Sequence, residues 1–283
     1  MKIKECKLCG SKSVSLIHNG TRDNPDIDVL NCDECGLVFL SDFEQIRNGY
    51  YEKSQMRPNY SKKSEWDKSV LDDNIRRVKA IENLIIDKEI LDFGCGEGCF
   101  LELAKEKTNS VAGIELDRAV REVLIDDGYS IWESFDQCNM KFDVITMFHV
   151  IEHLEFPIQI LEECNKYLKK NGKIIIETPN ANDALLSLYK SEAFADFTYW
   201  GAHLFLYNEM NLLKLVQNAG YKVTWCKQIQ RYPLANHMFW LAEGKPGGQN
   251  IYTLFNDKIL NEQYVRLLSE NKICDTLMIC IEK

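Results

Sequence analysis

The chain has 283 residues, of which 45% are hydrophobic and 27% charged, and its formal net charge is −9. These proportions are typical of a globular protein and exclude a disordered or fibrous chain. The negative charge argues against a broad electrostatic grip on nucleic acid, because nonspecific affinity for phosphates comes from Lys and Arg. No apolar run approaches the ~20 residues needed to cross a bilayer, and the N-terminus lacks the apolar stretch of a signal peptide, so we expect a cytoplasmic protein.

Two pairs of cysteines lie near the N-terminus, with the spacings Cys6-x-x-Cys9 and Cys32-x-x-Cys35. Such pairs supply four thiolates in a tetrahedron, the closed geometry of a structural zinc site, whereas the remaining cysteines are scattered singly, unlike a disulfide framework. We therefore predict a zinc-ribbon module over residues 1–44. Acidic residues match or outnumber Lys and Arg in it, which favours a scaffold or lid over a nucleic-acid interface.

A Tyr-, Lys- and Ser-rich stretch, residues 45–68, follows the module and is interpreted as a linker or lid. After it, helical and strand patterns alternate to the end of the chain, so residues 69–283 form one predicted domain. The predicted helices are 68–86, 99–107, 118–127, 158–169, 208–219 and 256–270. The predicted strands are 89–93, 110–115, 129–132, 142–148, 173–177, 221–228 and 275–281. This alternation predicts an α/β fold with a largely parallel sheet and helices on both faces.

The strand at 89–93 runs into a glycine turn with the pattern Asp92-x-Gly94-x-Gly96-x-Gly98. Glycines at such a turn let a ligand approach the backbone closely. About 20 residues further on, at the end of the next strand, Glu115 can accept hydrogen bonds from the hydroxyls of a ribose. The spacing differs from the G-x-G-x-x-G fingerprint of dinucleotide sites, because the third glycine comes one residue early.

This pattern resembles motif I of the class I S-adenosylmethionine-dependent methyltransferases, and the order of elements matches that family from about residue 70 to the end. The resemblance implies a Rossmann-like seven-stranded sheet whose last strand is antiparallel. It also implies that the glycine turn lies against the amino acid end of the cofactor, that Glu115 binds the ribose and that Leu116 and Asp117 flank the adenine. The cofactor-binding residues implied in this way are Asp92, Gly94, Cys95, Gly96, Gly98, Phe100, Glu115, Leu116, Asp117 and Phe148.

Candidate catalytic residues follow the strand at 142–148, where the ligand crevice of such a sheet opens. His149, Glu152 and His153 have the i, i+3 and i+4 spacing of one helix face, and His203 lies downstream after the fifth strand. In one interpretation, His149 or His153 is a general base that removes a hydroxyl proton, with His149 preferred because it lies nearest the strand end.

In a second interpretation, Glu152, His153 and His203, with or without His149, hold a divalent cation that acidifies the acceptor hydroxyl. The stretch resembles the Glu-x-x-Glu-His segment of metal-dependent small-RNA 2'-O-methyltransferases and of ubiquinone-pathway O-methyltransferases, with His149 in place of the first Glu. A third interpretation gives these residues only a structural role, capping a helix or lining the cofactor pocket.

Two further segments are candidate walls of an acceptor site. Residues 231–240, within an insertion at about 230–250, mix aromatic and polar side chains and suit a substrate cap built on a loop. Aromatic side chains after the fifth strand are also predicted to line the pocket; they are Tyr189, Phe194, Phe197, Tyr199 and Trp200.

These features predict methyl transfer from S-adenosylmethionine to a hydroxyl of a nucleotide-linked sugar, a glycan or another small metabolite. Cysteine pairs before a Tyr-rich linker are similar to the N-terminal segment of bacterial sugar and natural-product methyltransferases, and the lack of the further domain found in larger sugar C-methyltransferases favours oxygen as the acceptor atom. The alternatives are an RNA methyltransferase and, in another class, a cofactor-binding protein without catalysis. The oligomeric state stays open.

Overall fold

The computed structural model describes residue 3 and residues 5–47, 49–52 and 68–283. Most of the predicted linker over 45–68 therefore lies outside the described residues. The first helix beyond it, α1, spans Lys68–Ile85, as the apolar spacing predicts.

A seven-stranded sheet forms the centre of the molecule, and each of its strands falls within a residue or two of its predicted start except one. The strands are β4 (Glu89–Phe93), β5 (Ser110–Ile114), β6 (Ser130–Trp132), β7 (Phe142–Phe148), β8 (Leu168–Pro179), β10 (Lys222–Ile229) and β11 (Thr276–Glu282). Their order is β10-β11-β8-β7-β4-β5-β6. β4 to β8 pair in parallel, whereas β11 is antiparallel to both of its neighbours. The Rossmann-like seven-stranded sheet with an antiparallel last strand is thus confirmed.

The exception is β8, which begins at Leu168 rather than at 173, because its first residues already pair with the start of β7. The predicted helix over 158–169 accordingly ends earlier, at Tyr167. Backbone pairing with a neighbouring strand is a long-range effect that helical periodicity does not reveal.

Ten helices are described. They are α1, α2 (Cys99–Lys105), α3 (Arg118–Asp126), α4 (Pro157–Tyr167), α5 (Ala184–Ser187), α6 (Glu192–Thr198), α7 (Glu209–Asn218), α8 (Leu234–Glu243), α9 (Gly248–Ile251) and α10 (Lys258–Glu270). The prediction of a loop over 231–240 is wrong, because α8 occupies most of this segment. Pro233 precedes its first turn and Gly244 ends it in the left-handed conformation at φ 65°, which are the usual start and stop of a helix.

The sheet is buried on both faces. Val144 and Ile145, consecutive residues of β7, belong to different core clusters, as the alternation of side chains along a strand requires. On the Val144 face, Val78, Ile81 and Ile85 of α1 are buried against the sheet. This packing fixes α1 beside the carboxyl ends of the parallel strands.

The N-terminal module forms a second, smaller sheet. Its strands β1 (Val14–His18), β2 (Val29–Cys32) and β3 (Val38–Leu40) are antiparallel. The fourth strand, β9 (Phe205–Leu206), comes from the larger unit and pairs with β3. The module therefore shares its sheet with the segment that follows α6.

The described helices include none that combines the length and the apolar character required of a membrane span.

Candidate active site

The glycine turn joins β4 to α2 at the carboxyl edge of the sheet. Gly94, Gly96 and Gly98 all have positive φ, at 74°, 51° and 75°. A Cβ added at Gly94 would also lie 2.6 Å from a methyl group of Val150. Other residue types are strained in this conformation. Because glycines have no side chains, the backbone of the turn stays accessible to a ligand.

A cavity of about 820 Å³ opens above this turn, toward the upper end of the range for small-molecule sites. Every cofactor residue implied by the resemblance lines it except Gly98, which instead packs against Leu124 beneath the turn. Ser134, Phe135 and Asp136 also line it, and the sequence analysis missed them. Their signal was their place just after β6, because the carboxyl ends of parallel strands meet at one edge.

Glu115 is held between the glycine turn and the start of α3. Its Oε2 accepts a hydrogen bond from the backbone N–H of Gly96 at 2.8 Å, and its Oε1 accepts one from Asp117 at 2.9 Å. Each carboxylate oxygen keeps a further lone pair, so both can accept from vicinal hydroxyls. Asp117 lines the cavity while its side chain caps α3 by accepting from Ala119 and Val120.

Asp92 is a buried carboxyl group in the wall of the cavity. Burial raises its pKa to about 7, against the hydrogen bond that Thr146 donates at 2.6 Å and the nearby charge of Arg77. A cationic group of a ligand beside it would favour the ionised form. Asp92 therefore suits the ammonium end of an amino acid.

Helix α1 supplies a wall that the sequence analysis did not predict. Arg77 donates through Nε to Glu177 at 2.8 Å and through Nη1 to Asn74 at 3.1 Å, and its guanidinium lies 4.9 Å from the ring centroid of Phe148. Both Asn74 and Arg77 line the cavity. The signal for them was weak, since Arg76-Arg77 reads as the polar side of an amphipathic helix.

His149 lies outside any helix. It is in the left-handed conformation, at φ 57°, directly after β7, and a short 3₁₀ turn follows at Ile151–His153. The expectation that His149, Glu152 and His153 share a helix face is therefore wrong. The side chains still meet, because the left-handed residue turns the chain back across the edge of the sheet.

Both ring nitrogens of His149 have protein partners. Nδ1 lies 3.3 Å from Glu152 Oε1, and Nε2 lies 3.4 Å from Glu177 Oε1 and 3.4 Å from Arg231 Nη1. Burial lowers the pKa of His149, but the two carboxylates outweigh it and raise the pKa overall. His149 thus forms part of a buried ion-pair network that continues to α1 and Arg231.

Glu152, His153 and His203 form a compact group in which one ligand atom of each lies within 4.8 Å of the others. His153 donates through Nδ1 to the carbonyl of Ala202 at 2.7 Å, which leaves the lone pair of its Nε2 free to accept. Within the described residues, His203 Nδ1 is buried without a hydrogen-bond partner. Glu152 Oε1 is also buried, and its 3.3 Å ion pair with His149 Nδ1 is not aligned as a hydrogen bond.

The protonation states of this group suit a cation or a base. Burial lowers the pKa of His153, and it lowers that of His203 to about 3. Burial opposes ionisation of Glu152, but the neighbouring histidines, His149 first, lower its pKa to about 2. The group therefore presents one carboxylate and two neutral imidazoles at pH 7, a donor set that fits a divalent metal ion.

Aromatic side chains surround His153 on the acceptor side of the cavity. The ring of Tyr51 lies 6.0 Å from that of His153, and Trp200 lies 5.9 Å from it. Trp200 is the one predicted wall residue after the fifth strand that lines the cavity. The others pack elsewhere among the described residues: Phe194 and Phe197 on Trp240, Tyr199 on His18, and Tyr189 on Tyr264. From the predicted cap, Arg231 lines the cavity.

The four N-terminal cysteines also come together, with all Sγ atoms within 4.8 Å of one another. Cys6 and Cys35 lie 3.6 Å apart and Cys9 and Cys32 3.5 Å apart, close to the ~3.8 Å edge of a tetrahedron with Zn–S bonds of ~2.3 Å. Burial opposes ionisation of Cys32, but backbone N–H groups of Cys35 and Glu34 lower its pKa to about 7. The cluster therefore fits a zinc ion.

Comparison with known proteins identifies the family of the chain. A family described as "Methyltransferase domain" matches residues 64–224. A ubiquinone biosynthesis O-methyltransferase of Haemophilus ducreyi is 27% identical over 224 residues, which cover 71% of this chain and 90% of that protein. A protein of the same name from Idiomarina loihiensis is 30% identical over 132 residues, which cover 42% of this chain and only 54% of that protein.

Among solved structures, an S-adenosylmethionine-dependent methyltransferase from Mesorhizobium loti superposes with a TM-score of 0.51 at 14% identity, covering 75% of this chain and all of that one (100%). At this identity the likeness shows the fold alone. Together with the glycine turn, the position of Glu115 beside it and the family match, it leads to one conclusion. The chain belongs to the methyltransferase domain family and is an S-adenosylmethionine-dependent methyltransferase.

Proposed function

We propose that the protein transfers the methyl group of S-adenosylmethionine to a hydroxyl oxygen of a small molecule. The observation that carries the proposal is the Glu152, His153 and His203 group, of which His153 and His203 line the same cavity as the glycine turn while Glu152 lies buried behind them. The relatives named as O-methyltransferases support oxygen as the acceptor atom. Their names point to a small molecule in ubiquinone biosynthesis rather than to the sugar or glycan expected from the sequence.

The cofactor binds along the carboxyl edge of the sheet in this proposal. Glu115 accepts hydrogen bonds from the ribose, Leu116 and Phe135 flank the adenine, and Asp92 faces the ammonium of the amino acid end. Arg77 is positioned for its carboxylate. Because the sulfonium is already activated, holding the acceptor oxygen in line with the methyl group supplies much of the catalysis.

Of the two histidines considered as a base, the geometry favours His153. His149 has a partner at each nitrogen whether it is charged or neutral, whereas Nε2 of His153 is free to accept a proton. We therefore assign His149 a role in holding Glu152 and place proton removal at His153.

The same three residues would hold a divalent cation in the second interpretation, and the buried His203 Nδ1, which has no hydrogen-bond partner among the described residues, fits that role. A cation bound there would lower the pKa of a bound hydroxyl. Because only three protein side chains would hold it, such an ion would also be able to bind an oxygen of the acceptor.

The test is to measure S-adenosylhomocysteine release with a panel of acceptors. The panel contains a catechol, a phenol, a nucleotide-linked sugar and a small RNA, each with and without Mg²⁺, Mn²⁺ or Co²⁺. We expect turnover with the hydroxylated rings, because Tyr51 and Trp200 offer aromatic faces beside His153. Turnover with the RNA alone would contradict the proposal.

A further inference from the structure

The segment between α6 and β9, residues 199–204, carries Trp200 and His203 into the cavity. We call it the Trp200 loop. Its side facing the cavity contacts His153: the carbonyl of Ala202 accepts a hydrogen bond from His153, and the His203 ring centroid lies 5.0 Å from that of His153. The position of this loop therefore sets the distance between His203 and its two partners.

The opposite side of the loop is attached to the cysteine module. Strand β3 pairs with β9 through Val38↔Leu206 and Phe39↔Phe205, and the N–H of Leu40 donates to the carbonyl of Leu204 at 3.1 Å. The end of the loop is thus continued as a strand of the module's sheet.

Two side chains, Asp23 of the module and Gln45 directly after it, hold the middle of the loop at Gly201. Its N–H donates to Asp23 Oδ1 at 2.8 Å, and its carbonyl accepts from Gln45 Nε2 at 2.8 Å. A Cβ added at Gly201 would lie 3.0 Å from Asp23 Oδ2, so the fit is close. Both backbone groups of one loop residue are therefore satisfied, one by Asp23 of the module and the other by Gln45, the residue that follows it.

Arg22 holds the start of the loop. Its backbone N–H donates to the carbonyl of Tyr199 at 2.8 Å, and its guanidinium lies 4.6 Å from the ring centroid of Trp200. A cation over an indole ring is an attractive arrangement. The start, the middle and the end of the loop are all attached to the same module.

We propose that the cysteine module is a positioning element of the active site, with Asp23 as the positioning residue that keeps His203 beside Glu152 and His153. The module acts on the acceptor side only, because the glycine turn and Glu115 lie on segments that β4, β5 and α3 fix. The catalytic meaning of the position rests on the proposed function, whereas the position itself does not.

Asp23→Ala tests the proposal in the full chain, and two measurements locate the effect. Hydrogen–deuterium exchange of the 199–206 peptide and carbethoxylation of His203 by diethyl pyrocarbonate, both read by mass spectrometry, should each become about tenfold faster, because the loop loses a hydrogen bond to a charged group. Affinity for S-adenosylhomocysteine, measured by calorimetry, should change less than about twofold.

Two matched variants complete the design. Asp23→Asn keeps an acceptor oxygen for the Gly201 N–H and should restore slow exchange and slow modification. Asp26→Ala removes an exposed acidic side chain from the same segment and should behave like the unchanged protein. Neither measurement needs a methyl acceptor, so this test would remain valid if the proposed function were wrong.

Unchanged exchange and unchanged His203 modification in Asp23→Ala would overturn the proposal. Loss of S-adenosylhomocysteine binding in that variant would also overturn it, since the effect would then extend beyond the acceptor side. Where an acceptor is known, Asp23→Ala should lower kcat for methyl transfer, and Asp23→Asn should recover it.

Discussion

The two halves of the cavity are built in different ways. The half that we assign to the cofactor comes mostly from one continuous stretch, residues 92–117, in which strand, turn and helix follow one another. The half that we assign to the acceptor comes from separate segments, which contribute Tyr51, His149, Val150, His153, Leu154, Trp200, His203 and Arg231. The first half is thus encoded by a local pattern, whereas the second exists only when distant parts of the chain pack together.

The two halves also differ in their buried charges. In the half assigned to the cofactor, the partly exposed Glu115 is satisfied by backbone N–H groups. In the half assigned to the acceptor, Glu152 and Glu177 are fully buried; Glu177 is paired with Arg76 and Arg77, and Glu152 lies 3.3 Å from Nδ1 of His149. Removing one partner from such a network leaves an uncompensated charge, so substitutions there should have larger effects.

The largest expected effect is in the acceptor half. Glu152→Gln should lower the rate of methyl transfer by about 10²–10⁴-fold. The substitution removes the charge that holds His149, and it removes the carboxylate ligand from the group formed by Glu152, His153 and His203. Cofactor affinity should be retained. Single-turnover kinetics and calorimetry with S-adenosylhomocysteine measure the two quantities.

The control is Glu155→Gln, three residues on, where the carboxylate lies 3.9 Å from Arg47 near the surface.

If a cation acts at Glu152, His153 and His203, a chelator too weak to remove metal from the cysteine cluster should abolish the activity, and added Mg²⁺, Mn²⁺ or Co²⁺ should restore it. Full activity in both His149→Ala and His153→Ala would refute the base and the metal roles together.

The second prediction breaks the cofactor half. Gly96→Arg should weaken S-adenosylhomocysteine binding by at least about 100-fold, because its side chain would occupy the cavity. Calorimetry measures the loss and circular dichroism the fold. Gly128→Arg is the matched control: Gly128 has a similar positive φ of 88° with no atom within 4 Å of an added Cβ. If Gly96→Arg retained micromolar affinity for S-adenosylhomocysteine, the cofactor would have to bind at another site.

A third prediction concerns pH and Asp92, whose pKa is raised to about 7. Below that pH the carboxyl group is protonated and loses its attraction for the ligand's ammonium. The Kd for S-adenosylhomocysteine should therefore rise by up to about tenfold for each pH unit below 7. Asp92→Asn should bind weakly with a flat profile, and a flat profile in the unchanged protein would contradict this pairing.

The same raised pKa affects stability with a definite sign. The unfolded chain releases the proton near the ordinary value of 3.8, and the folded chain only near 7. The contribution of Asp92 to the stability of the ligand-free protein should therefore fall as pH rises from about 4 to about 7, and the difference in unfolding free energy between Asp92→Asn and the unchanged protein should change by that amount over this range. Urea unfolding at several pH values measures it.

The smallest effect on the cofactor half is expected from the cysteine module. Cys6→Ser should abolish binding of one zinc ion per chain, which elemental analysis detects, while S-adenosylhomocysteine affinity changes less than about twofold. Cys226→Ser, outside the cluster, should keep the metal. Freshly purified protein without zinc would refute the assignment.

Most residues that line the half assigned to the cofactor could be predicted from the sequence, because their signals are local. The glycine turn requires left-handed backbone at fixed positions, and Glu115 follows at a fixed distance, so all implied cofactor residues except Gly98 line the cavity. Arg77 and Ser134 to Asp136 were not predicted, because no local sequence motif marks them. They reach the cavity through the packing of α1 and the position of β6 in the sheet.

In the acceptor half the sequence identified residue types but not their geometry. His149, Glu152, His153 and His203 do come together, yet through a left-handed residue and a 3₁₀ turn rather than a helix face. The aromatic residues after the fifth strand could not be sorted into pocket and core, because Trp200 and Phe197 differ only in what packs over them.

The pairing of β3 with β9 has a consequence for building chimeric enzymes. The two strands are far apart in sequence, so replacing residues 1–47 with the module of a relative would exchange one side of a backbone ladder and leave the other in place. A functional chimera should need the graft to include residues 199–206 as well. The N-terminal module and residues 199–206 therefore form one structural unit, because they share a sheet. A graft that ends at a single boundary along the chain would divide this unit.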